Sequence, residues 1–292
     1  MARIHVLGVG KMGLPMATHL RAAGHAVSVS DPSTERLSLA REAGLEVAEP
    51  GAMAQAQFIA SSLPHDAALL AVAEQVARHG QPGAVYIDTS TVSPAASAQA
   101  AALLAAARVA YLRATVSGNN KMAEAAQLTV MASGPRAAYD AALPLLSAWG
   151  PNRFYLGDAE QARLMKLVVN LLIAQTSAML AEGLALGRKG GLGWQDMWQV
   201  LGASAVGSPI LKAKSAQLSQ RDFTPTFTVE QMLKDLDLIL GASEAAHVPL
   251  LQTAMTRQLM HAAVAQGDAL DDYAAIIKAV ERSAGLSTEF KP

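Results

Sequence analysis

The feature that most constrains this chain is a Gly-x-Gly-x-x-Gly run, Gly8-Val9-Gly10-Lys11-Met12-Gly13, set between an apolar stretch and a helix-like one. Ile4, Val6 and Leu7 predict a short buried strand, and the pattern over residues 16–23, closed by Gly24, predicts a helix. The glycines therefore fall in a strand-to-helix turn. Gly8 permits a tight turn, Gly10 lets the backbone approach a pyrophosphate with no Cβ between them, and Gly13 lets helix and strand pack closely. Lys11 and Met12 complete the turn, and the helix that follows turns its N–H groups and dipole toward an anion. A second strand over residues 26–30 ends at Asp31, eighteen residues past Gly13, where a carboxylate can bind the hydroxyls of an adenine ribose. The pattern predicts NAD as cofactor, with NADP disfavoured by the charge of Asp31. A purely structural turn followed by a surface aspartate has the same local sequence, so the rest of the chain must discriminate.

Composition narrows the field. The chain has 292 residues, 51% apolar and 16% charged, with a net charge of -1, which is enough apolar material for two ordinary domains or one large one. No charge excess points to nucleic acid, and no polar tract predicts disorder. Cysteine is absent, which excludes disulfides, thiolate zinc sites, iron–sulfur clusters and a cysteine nucleophile, and no metal site is predicted. The apolar start is too short for a signal-peptide core and is broken at Lys11. The longest apolar stretch, residues 164–186, carries Lys166, Asn170, Gln175 and Glu182, and so predicts a buried helix of a soluble protein, not a membrane span. The expectation is a cytoplasmic protein without nucleic-acid or membrane partners.

The first half alternates short apolar runs with helical segments, as a parallel sheet covered by helices requires. Candidate strands cover residues 3–7, 26–30, 58–62, 84–88, 110–113, 128–132 and 153–156. From Asp158 onward the pattern is helical only. Its first helix, about 159–189, is apolar on nearly every side and is expected to be the spine joining two domains. Further helices are predicted over residues 194–201, 208–218, 228–245, 250–266 and 270–282. The division expected is an α/β Rossmann domain over residues 1–160 and an all-helical domain over 161–292.

Within that spine, Lys166 and Asn170 are four residues apart and share a helix face. Among apolar neighbours a lysine loses hydration, which lowers its pKa from about 10.4 and opens a role in proton transfer. A lysine that snorkels to solvent beside a capping asparagine fits the same helix. Ser117, Gly118 and Asn119, followed by Asn120 and Lys121, form a polar turn after a candidate strand; such a turn can hold a carboxylate or can be plain surface. Leu63 and Pro64 follow one candidate strand and Thr91 follows another, at the edge where a doubly wound sheet binds its ligand. Lys234 and Asp235 lie on an amphipathic helix whose apolar face is Met232, Leu236, Ile239 and Leu240, and by themselves read as solvated surface. No Tyr-x-x-x-Lys pair is present.

These parts together resemble the β-hydroxyacid dehydrogenase family, which includes 3-hydroxyisobutyrate dehydrogenases and tartronate semialdehyde reductases. The likeness spans nearly the whole chain and rests on Gly8 to Ala17, Asp88-Thr-Ser90-Thr91-Val-Ser93-Pro94, Val116-Ser117-Gly118, Lys166-Leu-Val-Val-Asn170 and Lys234-Asp235-Leu236. It implies that Lys166 is the catalytic acid/base, that Asn170 and Ser117 contact substrate, and that Lys234 closes over nicotinamide and substrate. It also implies a Rossmann domain followed by a helical one that makes homodimers or homotetramers. One departure stands out: the family usually has Asp-Ala-Pro-Val-Ser-Gly-Gly where this chain has Arg113-Ala-Thr115-Val-Ser117-Gly118-Asn119.

The expected activity is hydride transfer between NAD and the 3-hydroxyl of a small 3-hydroxy acid, with Ser117, Gly118, Asn119 and Lys121 on the substrate side. An imine reductase or reductive aminase has a similar fold, but those enzymes generally lack the lysine that Lys166 matches. A non-catalytic cofactor-binding protein of the same fold is the remaining alternative, and it does not call for both Lys166 and Asn170.

Overall fold

The computed structural model describes residues 1–289. The chain divides into two compact units, Met1–Leu167 and Val168 onward. The first is built on eight strands: β1 Arg3–Leu7, β2 Ala26–Ser30, β3 Glu46–Val47, β4 Phe58–Ser61, β5 Val85–Asp88, β6 Ala110–Ser117, β7 Thr129–Ser133 and β8 Asn152–Tyr155. They form one sheet in the order β3-β2-β1-β4-β5-β6-β7-β8. The connecting helices are α1 Gly13–Ala22, α2 Thr34–Glu42, α3 Asp66–His79, α4 Pro94–Ala106, α5 Asn120–Glu124 and α6 Arg136–Ser147.

Side chains alternate across this sheet as its pleat demands. Ile4, Val6, Ile87 and Leu112 enter one core with Leu20, Leu145 and Trp149. Leu7, Ile59, Tyr86 and Tyr111 enter the other with Leu69, Val76 and Leu104. A sheet covered on both faces explains the near-continuous apolar runs in its strands. Trp149 is 1% exposed and donates its indole N–H to the Met16 carbonyl at 3.2 Å. Truncating such a residue to alanine costs about 3–5 kcal/mol.

The sheet is not wholly parallel as expected. β7 runs antiparallel to β6, from Arg113↔Ser133 to Ser117↔Thr129. That pairing also corrects the end of the fifth expected strand. Its last partner on β5 is Asp88 opposite Arg113, yet β6 continues to Ser117 because β7 supplies hydrogen-bond partners for the extra residues. The two-residue β3 is too short to leave a periodic signal.

The unit from Val168 onward holds the rest of α7 Gln161–Lys189, then α8 Trp194–Ala203, α9 Pro209–Leu218, α10 Val229–Ala245, α11 Leu251–Ala265 and α12 Ile276–Ser283. Ala174, Ala178, Ala181 and Ala185 form a small-residue stripe on α7 that is buried. The opposite side is not, which corrects the expectation of a helix covered all round: Leu172, Met179 and Leu186 are 57%, 65% and 77% exposed. By length and composition α7 could cross a membrane. Its polar side chains tie it into the bundle, Asn170 to Asp235 of α10 and Gln175 to Thr253 of α11.

The last expected helix is interrupted. Residues Tyr273–Ala275 make a short 3-10 turn before α12 because the buried Asp272 caps that turn through Ala274 N while also accepting from Lys214 Nζ at 2.6 Å. α12 is fixed by its buried Glu281, which accepts from Arg188 at 2.5 Å and from both Arg221 terminal nitrogens at 2.8 Å.

Candidate functional site

The glycine turn has the geometry that its sequence demands. Gly8 has φ +86°, and a Cβ there would lie 2.6 Å from the Ser62 carbonyl oxygen. A Cβ on Gly13 would lie 1.9 Å from the Gly8 carbonyl oxygen, so only glycine lets α1 start this close to β1. At Gly10 the space is taken by a side chain: the Arg36 guanidinium of α2 is 2.4 Å from where a Cβ would sit. Lys11 is exposed and Met12 half-buried immediately before α1. Asp31 closes the arrangement from the end of β2, accepting from Val9 N at 2.8 Å and Ser33 N at 2.9 Å. A groove of about 560 Å³ runs along this turn, lined by Gly10, Lys11, Leu14, Glu35, Arg36 and Leu39 among others. A glycine turn at a helix N-terminus, with the Asp31 carboxylate and the Arg36 guanidinium both beside it, fits the pyrophosphate and ribose of a dinucleotide.

The loops after β4 and β5 are held together by buried polar groups. Asp88, 0% exposed, accepts from Ser61 Oγ and Ser90 Oγ, each at 2.6 Å. Ser90 Oγ in turn accepts from Leu63 N at 2.8 Å. Ser93 caps α4 and donates to Asp66 at the start of α3. Leu63, Pro64 and Thr91 are thereby brought to the carboxyl edge of the sheet, where the glycine turn also lies. Burial holds the phenols of Tyr86 and Tyr111, beside this network, above the ordinary tyrosine range and keeps them protonated.

Ser117 is the last residue of β6 and not part of a loop. Gly118 has φ +137°, and a Cβ there would come within 2.7 Å of Leu128, so a side chain would be strained twice over. Asn119 caps α5, its Oδ1 accepting from Met122 N at 3.0 Å. The Asn120 side-chain oxygen is buried and has no hydrogen-bond partner among the described residues, whereas Lys121 is exposed. Arg113, the departure in this motif, points into the interior. It is 5% exposed, bonds to Glu160 and Ser97, and lies over the Tyr111 ring at 4.5 Å.

Lys166 is half-buried on α7, one turn before Asn170. Asn170 is 5% exposed and donates its side-chain amide to Asp235 Oδ2 at 2.5 Å. Asp235 is itself 1% exposed, with Lys234 Nζ 2.9 Å from its other oxygen, which corrects the reading of Lys234-Asp235 as a solvated pair. A signal for this was present: Asp235 lies three residues after Met232 and four before Ile239, on the apolar stripe of α10. Sequence reasoning also missed Arg163, fully buried in the first turn of α7 and paired with Asp88. Among the described residues no group of three or more histidines, aspartates or glutamates could hold a metal ion.

Two family models divide the chain at the start of α7. Residues 3–157 match the NAD binding domain of 6-phosphogluconate dehydrogenase, and residues 161–280 match the NAD-binding domain of NADP-dependent 3-hydroxyisobutyrate dehydrogenase. Over 291 residues the chain is 33% identical to 2-(hydroxymethyl)glutarate dehydrogenase of Eubacterium barkeri, covering 98% of this chain and 97% of that one. The chain belongs to the β-hydroxyacid dehydrogenase family. It is 30% identical to the chloroplastic glyoxylate/succinic semialdehyde reductase 2 of Arabidopsis thaliana, over 95% of this chain and 79% of that one. The Mycobacterium tuberculosis 3-hydroxyisobutyrate dehydrogenase, solved with L-serine, superposes with a TM-score of 0.87 at 28% identity over 95% and 98% of the two chains. As a β-hydroxyacid dehydrogenase the chain is a pyridine-nucleotide oxidoreductase acting on the hydroxyl group of hydroxy acids.

Proposed function

We propose that this β-hydroxyacid dehydrogenase uses NAD to oxidise a 3-hydroxy acid that carries a second polar or anionic group, and reduces the matching semialdehyde in reverse. The observation that carries the reading is the pairing of Lys166 with Asn170 on one face of α7, in a chain whose glycine turn and Asp31 fit a dinucleotide. Lys166 is the acid/base. In oxidation its neutral amine takes the hydroxyl proton, and in reduction its ammonium protonates the developing alkoxide. The bound nicotinamide supplies the acceptor for the hydride that leaves the carbinol carbon. Asn170 orients the reacting hydroxyl, Ser117, Gly118 and Asn119 receive the substrate carboxylate, and Lys234 contacts cofactor and substrate. Gly8, Gly10, Lys11, Met12 and Gly13 hold the pyrophosphate, Asp31 the adenine ribose, and Leu63, Pro64 and Thr91 line the nucleotide.

The second anionic group follows from Asn119, Asn120 and Lys121, which stand where the family has a glycine-rich run. The name of the Eubacterium barkeri relative supports it, since 2-(hydroxymethyl)glutarate is a 3-hydroxy acid with two carboxylates. A site built to pair such a group penalises substrates that leave it unpaired. The exposed apolar side of α7, with Leu172, Met179 and Leu186, supports a homodimer or homotetramer in which a second copy covers it.

Purified protein with NAD or NADP and a panel of hydroxy acids, followed by absorbance of the reduced nicotinamide, tests the reading. Hydroxy acids with a second carboxylate are expected to outperform 3-hydroxyisobutyrate, and Lys121→Ala to narrow that preference. A uniform effect of Lys121→Ala across the panel would remove this lysine from substrate selection.

A further inference from the structure

At the start of α7 a fully buried ion pair and a partly buried one lie side by side, and the proposed chemistry uses neither. Arg163 pairs with Asp88, both side chains 0% exposed, and Arg113 of β6 pairs with Glu160, the residue just before the helix. Ser97 Oγ accepts from both guanidiniums, from Arg163 Nε at 3.2 Å and Arg113 Nε at 3.3 Å. As a source of stability such pairs are poor, because desolvating both charges offsets most of their attraction. Their distinctive property is direction. The Arg163 guanidinium is a planar fork with five donors, and it reaches four acceptors on three segments of the chain. These are the Asp88 carboxylate at the end of β5, the Ser90 carbonyl at 2.5 Å, the Tyr111 hydroxyl of β6 at 2.8 Å, and Ser97 of α4.

The network touches both halves of the proposed chemistry. On the cofactor side Asp88 and Ser90 hold Leu63 N, so the loop after β4 and the loop after β5 share one anchor with the guanidinium. On the other side Lys166 follows Arg163 by three residues, about 4.5 Å along the helix and on a neighbouring face. A shift or tilt of this first turn moves the lysine directly. Misplacing a reacting group by about 1 Å can cost about 100-fold in rate.

We propose that Arg163 is a positioning residue: anchored by Asp88, Ser90 and Ser97, it sets the first turn of α7 against the loops after β4 and β5 and so fixes where the Lys166 amine stands relative to the nicotinamide. This rests on the assignment of Lys166 as the acid/base. The test is Arg163→Lys, which keeps a positive charge beside Asp88 but cannot reach all four acceptors at once. Circular dichroism and thermal melting establish the folded fraction, and steady-state kinetics across pH give the rest. The expected result is kcat about 10- to 100-fold lower per folded molecule, with substrate KM and the NAD dissociation constant each within about threefold and the pH limb assigned to Lys166 displaced. A folded variant with wild-type kcat and an unmoved limb overturns the proposal, as does a loss of activity that merely tracks the folded fraction.

Should Arg163→Lys fail to fold, Ser97→Ala carries the same test. It removes the acceptor that both arginines share, and kcat is expected to fall about three- to tenfold with the same displaced limb; an unchanged profile overturns the proposal. If the wild-type protein turns over no hydroxy acid, the proposed function fails on its own account. Positioning is then read without turnover from the NMR titration of 13C-methylated Lys166, its signal assigned by loss in Lys166→Arg. A titration curve displaced in Ser97→Ala supports the anchor, and superimposable curves overturn it.

Discussion

Asn170 donates its side-chain amide to the buried Asp235 carboxylate across 2.5 Å, and because an ionised carboxylate only accepts, this bond decides which end of the amide remains for other partners. Oδ1 is left as an acceptor, suited to a substrate hydroxyl or an ammonium. Asp235→Asn keeps the shape but removes that preference for one orientation. A hydrogen bond to a charged group contributes about 1.5–3 kcal/mol, so kcat/KM is expected to fall about 10- to 100-fold. In an Asn170→Ala background the same substitution should cost little more, since its effect runs through the amide. Additive losses in this double-mutant cycle would show that Asp235 acts by another route, such as through Lys234.

Lys166→Ala is expected to lower kcat by about two to four orders of magnitude, the usual range for a general acid/base. NAD affinity, measured by titration of the purified variant, should change little, because the glycine turn and Asp31, which are proposed to hold the dinucleotide, lie elsewhere on the chain. Turnover near the wild-type rate would mean that the lysine is structural.

The proposed preference for NAD puts a carboxylate and a guanidinium near the same turn in competition. Asp31 should repel a 2′-phosphate, while Arg36, beside Gly10, should attract one. The wild type is expected to prefer NAD in kcat/KM. Asp31→Asn should move the ratio toward NADP by about tenfold, roughly 1.4 kcal/mol, and adding Arg36→Ala should reverse most of that gain. A wild-type preference for NADP would assign the dominant role to Arg36.

His5 makes stability depend on acid. It is 0% exposed in β1 with Ser28 and Ser30 at its two ring nitrogens, and burial pushes its pKa from 6.5 down to about 4. As pH falls below about 6.5 the unfolded chain takes up the proton first, so the contribution is whole above that pH and is lost as pH approaches 4. At about 1.4 kcal/mol per unit, the loss by pH 4 reaches about 3 kcal/mol. Urea unfolding of wild type and His5→Gln at several values from pH 7 to 4 should give free energies that converge as pH falls. Parallel curves would place the acid sensitivity in other groups.

What the sequence determined by itself is local in the chain. The glycine turn, the strand ending at Asp31 and the helix face shared by Lys166 and Asn170 are each set within a few residues by backbone sterics and the helical repeat, and all three stand in the structure. The tertiary structure decided what each charged side chain faces. Arg113 stands in the sequence only as a departure from the family's motif, and its partner Glu160, 47 residues away, turns it into the core. Arg163 went unread in the sequence, and its partner Asp88 is 75 residues away. Lys234 and Asp235 are neighbours in sequence, yet one side chain is 35% exposed and the other 2%, because the α10 stripe that buries Asp235 turns Lys234 outward. A charge can be buried only where its counter-charge and hydrogen-bond partners converge, and that convergence is a property of packed elements, which no local window of sequence contains.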